Sequence, residues 1–299
     1  MEIGIDLGAT KVEYLILDNN GSEILRQREK SAQTYQSTIT QLEKIIKVLS
    51  SKHNQVLNVG LCHPGSINEK DKIINANNSP WLNDKTLLID LKKKVSNKII
   101  AENDANCFAL SEAIDGAAKN AYSVFGIILG SGTGGGLVIN KEIIKGKNFL
   151  GGEWGHNFLP GFGLNEKNSK KIKPQYQFTI EQYLSGKGLE KIFKQEFKKK
   201  LSANEIFMNK SNDIKIKNFI KNYKDRLARS LAMIINVLDP DTIVFGGGVS
   251  NEIDFLHEID SLVRKFVIGR EYEGVFLKPR YGDASGVRGA ARLGRSATY

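Results

Sequence analysis

A glycine-rich segment near the middle of the chain has residue types that can bind phosphate. Residues 130–136 read GSGTGGG and lie between the apolar runs 124–129 and 137–139. Glycine lets the backbone approach a ligand closely, and consecutive backbone N–H groups in such a turn can bind phosphate oxygens. The pattern predicts a phosphate-binding hairpin, and a simple β-hairpin without a ligand is the alternative.

The start of the chain has a similar arrangement. Residues 3–17 read IGIDLGATKVEYLIL and residues 126–139 read GIILGSGTGGGLVI, so each contains an apolar run, a turn with glycine and threonine, and a second apolar run. Two copies of one supersecondary unit predict a chain with two similar halves. Two hairpins facing one nucleotide would explain the duplication, and chance similarity between short segments is the alternative.

Two polar clusters carry side chains that can act on a hydroxyl group. Residues 102–106 read ENDAN, between a predicted strand at 98–101 and a predicted helix at 105–114. Ligands of open α/β sheets bind at the carboxyl ends of strands, where Asp104 could act as a general base. A role for Asp104 as a helix cap only is equally consistent with the spacing. Residues 153–157, EWGHN, either bind a polyol or form a surface loop.

Composition and charge narrow the class of protein. Hydrophobic residues make up 40% and charged residues 25% of the 299 residues, which is typical of a globular protein. Neither a membrane-spanning stretch nor a signal peptide is evident, and Cys62 and Cys107 lack the spacing of a disulfide framework or a zinc ribbon. We therefore expect a cytoplasmic protein with reduced thiols and no membrane partner.

The net charge of +10 permits nucleic-acid binding. The lysines, however, are spread along the chain without interleaved aromatic residues, which favours a solvated surface over a nucleic-acid partner.

Alternating strand and helix patterns predict an α/β fold with a domain boundary near residues 115–120. Strands are expected at 3–7, 12–17, 23–27, 56–62, 98–101, 124–129, 137–139 and 242–245. Helices are expected around 39–49, 87–95, 105–114 and 219–238, and a capping box at 202–205. Residues 163–178 are polar and aperiodic, and predict a loop.

Together these motifs resemble the ROK family of sugar kinases, within the actin/hexokinase-like superfamily. The motifs, in family order, are IGIDLGATKVE at 3–13, CHPGS at 62–66, NANNSPWLN at 75–83, ENDAN at 102–106, GSGTGGGL at 130–137, GGEWGHNFLPG at 151–161, IEQYLSGKG at 180–188, LDPDTIVFGGG at 238–248 and GDASGVRGAA at 282–291. They span nearly the whole chain. The details of three of them look most like the bacterial fructokinase and manno(fructo)kinase branch, with N-acetylglucosamine kinases as close relatives.

The resemblance implies a two-lobed, ribonuclease H-like α/β fold with the active site in the cleft between the lobes. Residues 1–116 would form the small lobe, with the first phosphate loop and part of the sugar site, and a C-terminal helix at 287–299 would rejoin it. Residues 117–286 would form the large lobe, which binds nucleotide and sugar.

The implied activity is transfer of the γ-phosphoryl group of MgATP to the primary hydroxyl of a hexose. Fructose is the first expectation, and N-acetylglucosamine or glucose the alternative. Relatives are commonly homodimers.

The resemblance also implies roles for individual residues. Asp104 would be the catalytic base. The sugar ligands would be Asn78, Asn103, Asp104, Glu153, His156 and Glu181. The nucleotide ligands would be Asp6, Gly8, Ala9, Thr10, Lys11, Gly132, Thr133, Gly134, Gly135, Gly246, Gly247 and Gly248. Asp6 would face Mg²⁺ through water, and Ala9 replaces the glycine that is usual in the family.

Functions of other classes are less consistent with these motifs. Some ROK proteins are sugar-responsive transcriptional regulators with a DNA-binding domain ahead of the kinase-like part. Here the first hairpin begins within five residues of Met1, so no such domain is expected. A catalytically inactive sugar sensor is a further alternative, which Asp104 and the two glycine hairpins disfavour.

A structural zinc site is not expected, although most relatives have one. They use one His and three Cys in a C-x-C-G-x-x-x-C run, and the corresponding positions here are Ile172, Pro174 and Thr179. Zinc in a structural site needs about four nitrogen or sulfur ligands. Only His156 remains, and an alternative set built on Glu166 and His63 lacks matching spacing.

We therefore predict that the protein folds and functions without zinc. After dialysis, elemental analysis should detect no stoichiometric zinc, and a zinc-selective chelator should leave activity intact while Mg²⁺ is present. Zinc that survives dialysis at one ion per chain, or activity lost to the chelator, would show that other residues rebuild the site.

Overall fold

Two five-stranded sheets with the same pattern of strand order form the framework of the chain. A computed structural model describes residues 1–51, 58–161, 178–208, 213–251, 256–269 and 272–296. Its strands are β1 Glu2–Leu7, β2 Lys11–Leu17, β3 Glu23–Lys30, β4 Val59–His63, β5 Ser66–Ile67, β6 Ile73–Ile74, β7 Ile99–Asn103, β8 Ser123–Leu129, β9 Thr133–Ile139, β10 Glu142–Ile143, β11 Thr242–Gly246 and β12 Val275–Leu277. Its α-helices are α1 Tyr35–Ser51, α2 Leu87–Lys92, α3 Asp104–Ile114, α4 Ile180–Leu184, α5 Gly186–Phe197, α6 Ala203–Met208, α7 Ile214–Leu238, α8 Gly248–Asn251, α9 Leu256–Val263 and α10 Ser285–Ser296.

The strand orders support the internal repeat read from the sequence. The first sheet runs β3-β2-β1-β4-β7 and the second runs β10-β9-β8-β11-β12. In the first sheet, β1 pairs antiparallel with β2 and parallel with β4, which pairs parallel with β7. In the second, β11 lies parallel between β8 and β12. The predicted α/β fold with two similar halves is therefore confirmed.

Apolar periodicity explains how the first sheet is covered on one face. The buried residues of α1 recur three and four positions apart, as expected for one face of a helix. They pack in one core with Ile3 and Ile5 of β1 and Leu61 of β4, all fully buried. Removing this apolar surface from water fixes which face of β1 points to α1.

The opposite face of the same strands is covered by α10, which comes from the other end of the sequence. This helix packs on β1, β4 and α3. Arg292 is almost fully buried in it and ion-pairs with Glu2 at 2.7 Å and with Asp115. Arg288 lies over the ring of Tyr281 and ion-pairs with Asp115 at 3.0 Å. Each buried guanidinium thus has a carboxylate partner, which burial of a charge requires.

Backbone packing divides the chain into two compact units. The first consists of Met1–Asn120, Gly136–Gly151 and Arg280–Tyr299, and the second of Ala121–Gly135 and Gly152–Pro279. Compared with the lobes expected from the sequence, residues 117–120, 136–151 and 280–286 fall in the first unit rather than with the rest of 117–286. The lobes as functional halves of an active site stay a prediction.

Most elements form where the sequence predicts them, with shifted ends. The capping box is present, because Ser202 and Glu205 exchange side-chain and backbone hydrogen bonds. The helix expected at 87–95 ends at Lys92, and the strand expected at 23–27 continues to Lys30. The strand expected at 56–62 runs from Val59 to His63, and positions 56–57 lie outside the described residues. The described helices include none that is long and apolar enough to cross a membrane.

Replacing Gly60 by alanine should destabilise the first unit, because its Cβ would overlap the backbone carbonyl oxygen of Ala290 in α10. Neither the strand nor the helix can move away without disturbing the core, so we expect a loss of about 1–3 kcal/mol in the free energy of unfolding. Urea unfolding followed by circular dichroism measures it. The matched control is Gly269→Ala, where a Cβ would meet nothing within 4 Å. Equal stability of the two variants would contradict the packing described for α10.

Candidate active site

In the first unit, the turn between β1 and β2 is held by side chains from a later segment. Gly8, Ala9 and Thr10 form this turn, and the amide of Gly8 donates to the carbonyl of Lys11 at 3.0 Å. Ser31 donates to the carbonyls of Gly8 and Thr10, and Gln33 donates to that of Ala9 at 2.9 Å. Because their carbonyls are bonded in this way, the three residues have a fixed backbone path. Neither Ser31 nor Gln33 is suggested by a sequence motif.

Asp6 lies near the end of β1, beside this turn. A Cβ at Gly286, in the first turn of α10, would lie 3.0 Å from its Oδ2 atom, so the helix start closely approaches the carboxylate. Burial raises the pKa of Asp6, and the charge of Glu13 raises it further, while a hydrogen bond with Cys62 lowers it.

Asp6 is compatible with a role in binding Mg²⁺. No group of three or more His, Cys, Asp and Glu side chains that could hold a metal ion occurs among the described residues. Magnesium bound with a nucleotide needs only one or two carboxylates, since phosphates and water complete its shell. A carboxylate beside a glycine turn fits that requirement.

Asn103 and Asp104 form the junction between β7 and α3. Asn103, not Asp104, is the N-cap, and its Oδ1 accepts a hydrogen bond from the Ala105 amide at 2.9 Å. Its Nδ2 donates to the carbonyl of Gly65 at 2.7 Å, so one side chain joins the helix start to the loop after β4. Asp104 is the first helical residue and is exposed, and its Oδ1 also accepts from the Ala105 amide at 2.8 Å. The Asp104 side chain is therefore exposed at a helix N-terminus.

Two buried polar residues behind this junction, Glu102 and His63, lie in the motifs at 102–106 and 62–66 but are not predicted as ligands. Glu102 accepts hydrogen bonds from the Asn103 amide at 2.9 Å and from Asn106, and ion-pairs with Lys145 at 2.5 Å. His63 is buried, and burial lowers its pKa, so the ring is neutral at pH 7. The bond from the Asn103 amide to Glu102 thus holds the backbone of this junction from its buried side.

In the second unit, the glycine-rich turn is shorter than expected. Residues 130–132 form the turn, and Thr133, Gly134 and Gly135 already belong to β9. The physical reason is close packing. A Cβ at Gly135 would lie 2.7 Å from Cδ1 of Trp154, so glycine is needed there within a strand. Part of the glycine run thus serves strand packing rather than turn formation.

Residues 153–157 pack on this strand rather than forming a separate surface loop. Trp154 is buried, and its indole N–H donates to the carbonyl of Gly134 at 2.8 Å. The 3₁₀ helix Trp154–His156 leaves Glu153 and His156 partly exposed, with Oε2 and Nε2 3.5 Å apart. The two predicted sugar ligands therefore lie side by side at the surface of the unit.

Glu181 is connected to the same cluster through α4. The amide of Ile180 donates to the carbonyl of Asn157 at 2.9 Å, and Phe158 pairs with Thr179 as an isolated bridge. The Glu181 carboxylate accepts a hydrogen bond from the amide of Thr133 at 2.9 Å. The second unit thus brings together Glu153, His156, Glu181 and the glycine hairpin.

The remaining predicted ligands have less specific surroundings. Gly247 has φ +90 and lies between β11 and α8, where Ser250 donates to the carbonyl of Gly246 at 2.7 Å. Gly248 begins α8. Asn78 is exposed in the turn that precedes the 3₁₀ helix Pro80–Leu82. The roles of these residues stay predictions.

The segment expected to replace a zinc site is described only at its end. Residues 163–177 lie outside the described residues, and these include Ile172 and Pro174. Thr179 is buried beside Phe158. The expectation of a zinc-free protein is unaffected by these observations and stays a prediction.

The two sheets of matching topology, each with a glycine turn after its first strand, define an α/β protein of the two-lobed actin/hexokinase-like class. Comparison with known proteins identifies the family. The profile of the ROK family matches residues 2–297, so the chain belongs to that family. The fructokinase branch within it is not confirmed.

Relatives agree with this assignment over their full length. An N-acetyl-D-glucosamine kinase of Yersinia enterocolitica is 33% identical over 299 residues, covering 98% of this chain and 99% of the relative. The ROK hexokinase of Thermus thermophilus has a TM-score of 0.84 at 23% identity, and 99% of each chain is covered. A ROK glucokinase of Streptomyces griseus, solved with glucose and AMPPNP, has a TM-score of 0.75 at 24% identity with the same coverage.

The raised pKa of Asp6 predicts a pH-dependent effect of Asp6→Asn on stability. Burial raises the pKa of Asp6 in the folded protein, so its contribution to stability is complete below the unfolded pKa of about 4 and is lost as pH rises through the folded value. The asparagine variant lacks this loss. Its stability relative to the wild type should therefore increase between pH 4 and pH 8.

Urea unfolding at several pH values, without Mg²⁺ or nucleotide, measures this difference. The matched control is Asp71→Asn, the same substitution at an exposed position with φ 57, which asparagine tolerates. A stability difference for Asp6→Asn that stays constant or decreases as pH rises would contradict a raised pKa for this carboxyl group.

Proposed function

We propose that this protein is an ATP-dependent hexose kinase that phosphorylates the primary hydroxyl of its sugar. The observation that carries the proposal is the exposed carboxylate of Asp104 at the start of α3, with Asn103 fixed beside it. Glycine hairpins suited to phosphate and membership of a family whose compared relatives include sugar kinases support it.

In the proposed reaction, Asp104 accepts the proton of the sugar hydroxyl as the hydroxyl oxygen attacks the γ-phosphorus of ATP. Asn103 orients the sugar. Its amide has further hydrogen-bonding positions besides those used by Ala105 and Gly65, so it can bind a hydroxyl without leaving the helix start. Catalysis of phosphoryl transfer is mainly a matter of positioning and of charge stabilisation.

Backbone amides of the two glycine turns would stabilise the negative charge on the transferred group. Magnesium, when bound with ATP, neutralises phosphate charge, and Asp6 would hold it through water. Lys11, the first residue of β2, adds positive charge at the same turn. Glu153, His156 and Glu181 would bind sugar hydroxyls, which allows discrimination because a missing hydroxyl leaves a polar group unpaired.

Two sugars have specific support as the substrate. N-acetylglucosamine is supported by relatives of 32–34% identity over almost the whole chain that are N-acetyl-D-glucosamine kinases. Fructose is supported by the motifs at 75–83, 152–157 and 282–291, which resemble the fructokinase branch. We rank N-acetylglucosamine first, because full-length similarity reflects more of the sugar site than three short motifs do.

A homodimer and a cytoplasmic location stay predictions.

An assay that couples ADP release to a dye, run over a panel of hexoses, tests the proposal. The panel contains N-acetylglucosamine, fructose, glucose, mannose and N-acetylmannosamine. We expect turnover with at least one of the first two sugars. Asp104→Asn should lower kcat by a factor on the order of 10² to 10⁴, because the general base is lost while the shape of the side chain is kept.

The control variant is Asp71→Asn, which changes the same charge on an exposed turn of the first unit. It should retain wild-type kcat and KM. Unchanged turnover in Asp104→Asn would remove the assigned role of that residue. No turnover of the wild type with any sugar of the panel would contradict the kinase proposal itself.

A further inference from the structure

The backbone amide of Thr133, a predicted phosphate ligand, is already bonded to a predicted sugar ligand. It donates to Oε2 of Glu181 at 2.9 Å. A bond from an amide to a carboxylate is charge-assisted and stronger than one between neutral groups. In this state the amide does not have its hydrogen available for a phosphate oxygen.

The hydroxyl of Thr133 is also unavailable to a ligand. Thr133 is 5% exposed, and its Oγ1 is buried with no hydrogen-bond partner among the described residues. A buried hydroxyl without a hydrogen-bond partner is unfavourable, because it has lost its bonds to water and gained none in the protein. Both donors of Thr133 are thus turned away from solvent, and the start of β9 must rearrange before they can bind phosphate.

The side chain of Glu181 in α4 lies in direct contact with the turn of the hairpin. A Cβ at Gly132 would lie 2.8 Å from Oε2 of Glu181, so the carboxylate lies directly against the turn. At the start of α5, which follows α4 after one residue, the amide of Gly186 donates to the carbonyl of Gly130 at 2.8 Å. The turn is therefore held at two points, by the Glu181 carboxylate of α4 and by the backbone at the start of α5.

We propose that Glu181 couples the two substrates: in the sugar-free protein it occupies the Thr133 amide, and sugar binding releases that amide for the nucleotide. This inference rests on the proposed kinase function. A sugar hydroxyl donates to Glu181 in place of the Thr133 amide, and the amide then becomes a donor for a phosphate oxygen. The negative charge of the carboxylate also repels phosphate while no sugar covers it. In the sugar-free state, Glu181 therefore disfavours nucleotide binding in two ways, by occupying the amide and by charge repulsion.

Two consequences follow from this coupling. Sugar raises nucleotide affinity, and by linkage nucleotide raises sugar affinity by the same factor, for which 5–150-fold is typical. The coupling also keeps ATP hydrolysis by the sugar-free protein slow. When water is the only available nucleophile, the Thr133 amide is bonded to Glu181 and does not stabilise the transferred phosphoryl group. The products of that side reaction are ADP and inorganic phosphate.

Calorimetric titration with the Mg²⁺ complex of AMPPNP tests the coupling, since this analogue is not consumed. In the absence of sugar, Glu181→Ala should bind AMPPNP at least fivefold more tightly than the wild type, because nothing competes for the Thr133 amide. Glu181→Gln keeps a neutral acceptor and should lie between the two. The matched control is Glu196→Gln, an exposed glutamate of α5 in the same unit, which should bind as the wild type does.

The sugar-free measurement is decisive, because loss of sugar binding in the variants would by itself abolish any effect of sugar. ATP hydrolysis without sugar, measured as phosphate release, should rise in Glu181→Ala. Circular dichroism and thermal unfolding establish that both variants are folded. A role of Glu181 in sugar binding alone would change the KM for sugar and leave sugar-free AMPPNP affinity as in the wild type.

Unchanged or weaker sugar-free AMPPNP binding in both folded variants would overturn the coupling while leaving the kinase proposal intact, provided that the wild type phosphorylates a hexose. A wild type that neither phosphorylates any sugar of the panel nor binds AMPPNP, with or without N-acetylglucosamine or fructose, would overturn both.

Discussion

The close backbone contact of α10 with β1, β4 and α3 is the constraint on which the first half of the candidate site depends. These elements carry Asp6 and the Asn103–Asp104 junction, so the helix that covers their back also fixes the positions of the predicted catalytic groups. The contact needs glycine, as at Gly60, because a side chain would collide with the helix backbone. The contact also needs carboxylate partners for the buried arginines of α10. Stability and site geometry thus rest on one interface between the two ends of the chain.

In the second unit, the glycine hairpin is positioned by hydrogen bonds rather than by a packed helix. Its hairpin is positioned by polar contacts, from the indole of Trp154 to the carbonyl of Gly134 and from the Thr133 amide to Glu181. Such bonds are individually worth less than a packed interface. The turn after β1 is also held by donors to its carbonyls, from Ser31 and Gln33, but only the second hairpin has a backbone amide bonded to a carboxylate among the contacts described above.

Sequence alone could predict what depends on local pattern. The repeat of strand, turn and strand at 3–17 and 126–139 predicts the matching sheets, and the apolar spacing of α1 predicts its buried face. The motifs also predict which polar residues belong to the candidate site. Contacts made by residues far apart in the chain could not be predicted, since neither the support of the first turn by Ser31 and Gln33 nor the bond from Thr133 to Glu181 has a motif. The glycine run was misjudged in extent for the same reason, because the need for glycine at Gly135 comes from Trp154.

The two sheets have the same topology, but their glycine turns are held by different contacts. A single copy of the unit supplies a glycine turn at the end of a strand, which is enough to approach a phosphate chain from one side. The second hairpin has an additional polar contact, because the Thr133 amide donates to Glu181, which is a predicted sugar ligand. The turn after β1 is held instead by Ser31 and Gln33, which are not predicted ligands. The two turns thus share one topology and differ in the side chains that hold them.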